Sequence, residues 1–156
     1  MAYSKTKRRV VFTVIIVLLI LVVPASRLVR RQFLTFDWKT TNVKINGQII
    51  KAEVASDAAS EYRGLSFRPS LCADCGMLFL FPGEEPLEFV MRQMKFPLDI
   101  IFISRHKIIN MAVDLPPEGA SPKNIYASVA PADAVLEVNG HYTTKQGIKI
   151  GDYVEY

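Results

Sequence analysis

PLDIIFISRHKIINMAV, residues 97 to 113, holds two apolar runs, Leu98 to Ile103 and Ile108 to Val113, on either side of the polar tetrapeptide SRHK. Both runs are short and rich in isoleucine and valine, which suits strands better than helices. Side chains alternate across a strand, so Leu98, Ile100 and Phe102 share one face and Ile101 and Ile103 the other. Both faces are apolar. Asp99 therefore enters a strand covered on its two sides, and a carboxylate drawn into such a place needs a partner.

The same texture continues in both directions. Strand-like runs recur at MLFLF (77 to 81), LEFVM (87 to 91), NIYASVA (124 to 130), AVLEVN (134 to 139) and IGDYVEY (150 to 156). They are separated by PGEEP, the QMKFP bend, the DLPPEGASPK loop and the short NGHYTTKQG connection. Upstream, TTNVKINGQIIKAEVA (40 to 55) places β-branched residues around Asn46-Gly47, the dipeptide suited to the positive φ angles of a type I′ turn, and predicts a β-hairpin. Ser56 or Asp57 then offers an N-cap for AASEYRGLSF (58 to 67), which is long enough for two or three helical turns. Many short strands with one short helix predict a mainly β fold, an antiparallel sandwich or barrel-like domain. There is no internal repeat, GxGxxG or P-loop.

The N-terminus is of another kind. MAYSKTKRR is followed by an uncharged run from Val10 to Ser26, with Pro24 near its end. This length falls between a signal-peptide core and a full membrane span. Val23 and Ala25 fit the small-residue rule for cleavage after Ala25 only in part, and Arg27, Arg30 and Arg31 make a poor start for an exported chain. Residues 1 to 31 are therefore read as a basic segment and retained membrane helix, with export after signal cleavage as the alternative. The basic flank orients the N-terminus inward and the domain outward. Residues 32 to 40 read as a connector whose Phe33, Phe36 and Trp38 rest at the membrane interface or cap the domain, and residues 41 to 156 form the β-rich domain.

The formal charge of +4 resolves along the same boundary. Seven of the 19 Lys and Arg residues precede Asp37, leaving 12 against 15 acids in the rest of the chain. With no basic run interleaved with aromatics there, nucleic acid is not an expected partner.

Cys72-x-x-Cys75 admits four readings: a reactive dithiol, half a metal site, a structural disulfide, or an incidental loop feature. A redox pair of this spacing normally opens a helix, whereas Cys75 is followed by Gly76 and a β run, which leaves a local disulfide in a turn outside the cytoplasm. His106 and His141 complete a ligand count for zinc but lack the short second-pair spacing of a zinc finger, so no metal and no cofactor are expected. Met77, Met91, Met94 and Met111 fall where a core needs filling. No G-x-S-x-G element or histidine-centred triad pattern is present.

The ordered blocks EYRGLSFRPSL, GMLFLF, FVMRQM, PLDIIFI, VLEVNG and IGDYVEY resemble the DUF192 family, over about residues 41 to 156. The resemblance implies a compact β-rich, sandwich-type domain, often behind a signal or anchor, and no assigned activity. The chain departs from the family pattern at Ser66, in place of Met, at Val90, in place of Trp, and at Gln93-Met94, in place of Asn-Thr. The RGL-x-x-R, PLD and LE elements make Arg63, Arg68, Asp99 and Glu137 the expected polar cluster, with Arg92 a further donor. Such a cluster serves as a buried structural network, as a ligand-binding cleft, or as a catalytic group.

The reading that unites these observations is a membrane-anchored, extracytoplasmic binding or envelope-associated accessory module. Its expected partners are the membrane, through the N-terminal segment, and a small molecule or polymer of the envelope. An enzyme working through Arg63, Arg68, Asp99 and Glu137 is the rival, and a dithiol or metal protein built on Cys72 and Cys75 is the third reading.

Overall fold

Residues 38 to 156 are described by a computed structural model. The run from Val10 to Ser26, with its expected membrane helix, lies outside the described residues, and so does most of the connector. No helix among the described residues is long and apolar enough to cross a membrane.

The chain opens with the expected hairpin. β1 (Thr40–Ile45) and β2 (Gln48–Ala55) pair antiparallel, and Asn46 (φ 49°) and Gly47 (φ 80°) make the turn with the two positive φ angles this connection requires. Helix α1 (Ala58–Arg63) follows, capped by Asp57, whose side chain accepts from the Ala59 and Ser60 amides while Ser60 answers with a reciprocal contact. β3 (Cys75–Glu85), β5 (Leu98–Ser104), β6 (Lys107–Leu115) and β8 (Ala132–Asn139) are the remaining long strands.

Seven strands form one sheet in the order β6-β5-β8-β3-β2-β1-β9, where β9 is only Val154–Glu155. The sheet curls until its two ends meet: Lys107 at the start of β6 bridges Tyr153, and the Val154 amide donates to the His106 carbonyl at 2.8 Å. The expected antiparallel arrangement holds at every pair except β2 with β3, which run parallel because α1 carries the chain back across the sheet between them. LEFVM and NIYASVA shrink to two-residue strands, β4 (Glu88–Phe89) and β7 (Tyr126–Ala127), that pair with each other as a separate ribbon.

Register divides the core into two faces. One cross-strand row runs Ala52, Gly76, Val138, Asp99, and the next runs Glu53, Met77, Glu137, Ile100. Residues in the first row share a face with Leu78, Ile101 and Leu136, the cluster enclosed by the curl of the sheet. The second row shares its face with Phe79, Phe102 and Val135, a cluster that the β4/β7 ribbon covers. Phe89 of that ribbon meets Phe79 and Phe102 edge-on, at ring centroid distances of 5.0 and 6.0 Å. Strand β5 is buried from Leu98 to Ile103, as its two apolar sides foretell.

A second helix, α2 (Tyr142–Gln146), stands where the sequence suggests only a connection. The reason is long-range. His141 enters it in the left-handed region (φ 65°) and offers no side-chain cap, and the Thr143 amide is instead satisfied by Asp99, from a strand 44 residues away.

Candidate functional site

The four expected site residues do not form one cluster. Asp99 is fully buried on the face enclosed by the sheet, and its two oxygens accept four hydrogen bonds. Oδ1 takes the Asp114 amide at 2.8 Å and the His141 amide at 3.0 Å, and Oδ2 takes the Thr143 amide at 2.9 Å and its hydroxyl at 2.7 Å. The partner that burial demands is thus a set of backbone amides and one threonine, not an arginine. Asp99 is a structural knot that ties β6, β5 and α2 together.

Glu137 points the other way. It pairs with Ile100 across β5, one residue out of phase with the Asp99–Val138 pair, so the two carboxylates lie on opposite faces. On its own face the row places Glu53 two strands away, with Met77 between them. Arg68 makes a bidentate pair with Glu53, Nη1 lying 2.7 Å from Oε1, and its guanidinium lies 5.5 Å from the centroid of the Trp38 ring. The sequence reading missed Glu53. Its lone signal is a carboxylate within the alternating KAEVA run, where it reads as one position of a solvated face.

Glu137 is 5% exposed and receives no hydrogen bond from any described residue. Burial pushes its carboxyl up to about 8, against the opposing pull of the Arg68 guanidinium. It lies in the wall of a cavity of about 430 Å³ between the sheet, the end of α1 and the β4 segment. Leu65, Phe79, Phe81, Leu87, Phe89 and Met94 supply the apolar walls. Arg63, the second expected site residue here, also lines the cavity, with Glu61, Glu88 and Arg92. Arg92 lies 3.8 Å over the Tyr62 ring and donates to the Tyr62 carbonyl. Glu61 is pushed up by burial and by nearby Asp57 and Glu85. The structure thus brings Arg63 and Glu137 to one cavity, sets Arg68 beside it on Glu53, and separates Asp99 from all three.

Three of the four departures from the family pattern, Ser66, Val90 and Met94, line this same cavity. Ser66 also fastens the cavity wall, its hydroxyl donating to the Arg92 carbonyl at 2.9 Å. The fourth, Gln93, adopts a positive φ (56°) and its carbonyl accepts from the Phe67 amide at 2.9 Å.

Cys72 and Cys75 stand at disulfide distance, Cα to Cα 5.1 Å, with the Cys75 amide donating to the Cys72 carbonyl across the turn that leads into β3. The histidines are elsewhere: the His106 Nδ1 is 2.9 Å from the Val154 carbonyl, and His141 Nε2 is 3.1 Å from Asp114. Among the described residues no three His, Cys, Asp or Glu side chains are placed to hold a metal ion. The turn is too short for the cross-link to add much: replacing both cysteines by serine should keep the fold and cost well under the ~3 kcal/mol expected of a fifteen-residue loop. Alkylation of protein from cells before reduction, read by mass spectrometry, should find no free thiol; two free thiols would contradict the bond.

Comparison with solved structures places the fold among proteins of related sequence. A protein of unknown function from Novosphingobium aromaticivorans DSM 12444 is 33% identical with a TM-score of 0.70, over 75% of this chain and 85% of that one. A putative transcription regulator from Sinorhizobium meliloti 1021 is 28% identical with a TM-score of 0.71, over 78% of this chain and 96% of that one. No curated protein matches the chain. Residues 41 to 156 match the family described as DUF192, uncharacterized ACR, in agreement with the ordered sequence blocks and the mainly β fold, and the chain belongs to that family.

Proposed function

We propose that this chain is a membrane-tethered binding module with its domain outside the cytoplasm, and that the cavity beside Glu137 is its ligand site. The observation that carries the reading is a buried carboxyl, in the wall of a cavity of mixed apolar and charged lining, that accepts no hydrogen bond from a described residue. Stability alone gives no reason for such a group, since leaving it without a partner costs free energy that an apolar residue would not. A volume of about 430 Å³ lies within the range of small-molecule sites, which favours a small molecule over an envelope polymer. Support for the tether and its orientation comes from the basic-flanked apolar run at 10 to 26, and a cysteine pair at bonding distance accords with an oxidising exterior.

The regulator name of the Sinorhizobium protein is not extended to this chain, where 12 basic side chains face 15 acidic ones beyond Arg31. An acid and base drawn from Asp99 and Glu137 would face opposite sides of the sheet, so the enzymatic reading loses that pair.

The test uses the full chain in lipid nanodiscs with ¹³C-methyl methionine. The neutral probe 2-phenylethanol should shift the Met94 methyl, which lines the cavity, and leave Met111 on the opposite face of the sheet unmoved. Leu65→Trp, which fills the cavity, should abolish the shift. A Met94 signal indifferent to saturating probe would refute the site, and a domain protected from protease added at the outer face of intact cells would reverse the orientation.

A further inference from the structure

Around the cavity Arg68 and Arg92 are held by other groups, and the buried Glu137 carboxyl accepts no hydrogen bond from a described residue, Arg68 acting on it only through its charge. Arg68 is held by Glu53, and Arg92 is spread on Tyr62 and bonded to its carbonyl. Glu137 is enclosed, with Glu61 and Glu88 as further carboxylates on the lining. The lining carries three carboxyl groups, Glu61, Glu88 and Glu137, beside two arginines, Arg63 and Arg92, and the Arg92 guanidinium is engaged on Tyr62. Phe79, Phe81 and Phe89 add aromatic surface beside the buried carboxyl, the combination that attracts cations bearing apolar substituents.

We propose that the cavity binds an organic ammonium ion, its nitrogen against the Glu137 carboxylate and its apolar body against Phe79 and Phe89. This rests on the reading of the cavity as a ligand site. The chemistry is a proton exchange: Glu137 is neutral up to about pH 8, so an entering ammonium ion displaces the carboxyl proton to solvent and leaves an ion pair. Arg68, through its electrostatic pull on Glu137, and Arg63, Arg92, Glu61 and Glu88 on the lining are the other charged groups around it. Affinity for the ammonium ion should be highest between pH 8 and about 10, where the carboxyl is ionised and an alkylamine is still protonated. Below pH 8 it should fall about tenfold per pH unit, because each binding event then expels one proton.

The experiment titrates the full chain in nanodiscs with 2-phenylethylamine and, separately, with 2-phenylethanol, following the Met94 methyl from pH 6 to 9. The amine should bind more tightly than the alcohol at pH 9 and weaken roughly a hundredfold by pH 6, a change of two units below the carboxyl midpoint. Glu137→Gln should weaken amine binding by at least about tenfold and remove its pH dependence, with a dispersed methyl spectrum confirming the fold. The pH series on the unaltered chain carries the test if that variant does not fold. Tighter binding of the alcohol at pH 9, or an amine affinity that does not rise with pH, overturns the ammonium proposal while the cavity reading stands. Failure of both probes removes the cavity reading and the proposal with it.

Discussion

Glu137→Gln should make the domain more stable than the unaltered protein at pH 9 and nearly equal to it at pH 4. The folded-state pKa of about 8 lies above the ordinary 4.5, so the folded protein holds the proton more tightly than the unfolded chain does. Below about pH 4.5 both states are protonated and the stability associated with the neutral carboxyl is fully present. Between 4.5 and 8 the unfolded chain has released the proton and the folded one has not, and stability falls by on the order of 1 kcal/mol per pH unit. Above 8 both have released it and the dependence is flat. Glutamine copies the neutral carboxyl and cannot ionise, so the difference between the two proteins isolates this group from Asp57 and Glu84, which are shifted downward and act only in acid. Urea unfolding followed through Trp38, the single tryptophan, provides the comparison; parallel profiles would remove Glu137 from the list of buried carboxyls.

Asp99→Asn should cost about 3 kcal/mol, and Asp114→Asn less than about 1. An asparagine at 99 must turn its NH₂ toward either the Asp114 and His141 amides or the Thr143 amide, and whichever it faces loses its acceptor inside the core. Asp114 has its side chain partly exposed beside His141, where losing one contact matters little. Hydrogen exchange should show the damage first at Thr143, because α2 has only this distant cap. Equal denaturation midpoints for the two variants would contradict the assignment of Asp99 as the structural knot.

These two acids show where sequence reasoning reaches and where it stops. The alternation in LDIIFI buries β5, and Asn46-Gly47 turns the first hairpin, because both signals are local and the chemistry of neighbours decides them. That Asp99 and Glu137 are both buried follows from the apolar residues beside them. That they face apart does not, since it depends on the register between β5 and β8, which a single-residue slip would reverse. Helix α2 escapes for a related reason: its cap comes from β5 and no residue within YTTKQ announces it. Glu53 is hidden because a carboxylate in a half-exposed strand has the same signature whether water or Arg68 meets it. The parallel pairing of β2 and β3 is invisible because, of the connection from Ser56 to Asp74, only a six-residue stretch is helical, too short for an amphipathic period to mark it as a crossover helix.

The central claim is a carboxyl that stays neutral inside a cavity at pH 7, and it can be observed directly by titrating the side-chain ¹³C carboxyl resonances of glutamate-labelled protein. One resonance, absent from Glu137→Gln, should titrate near pH 8, well apart from the others. If the resonance lost in that variant instead titrates at about 4 to 5 with the ordinary glutamates, Glu137 is ionised and solvated, and the ligand site built on it does not exist.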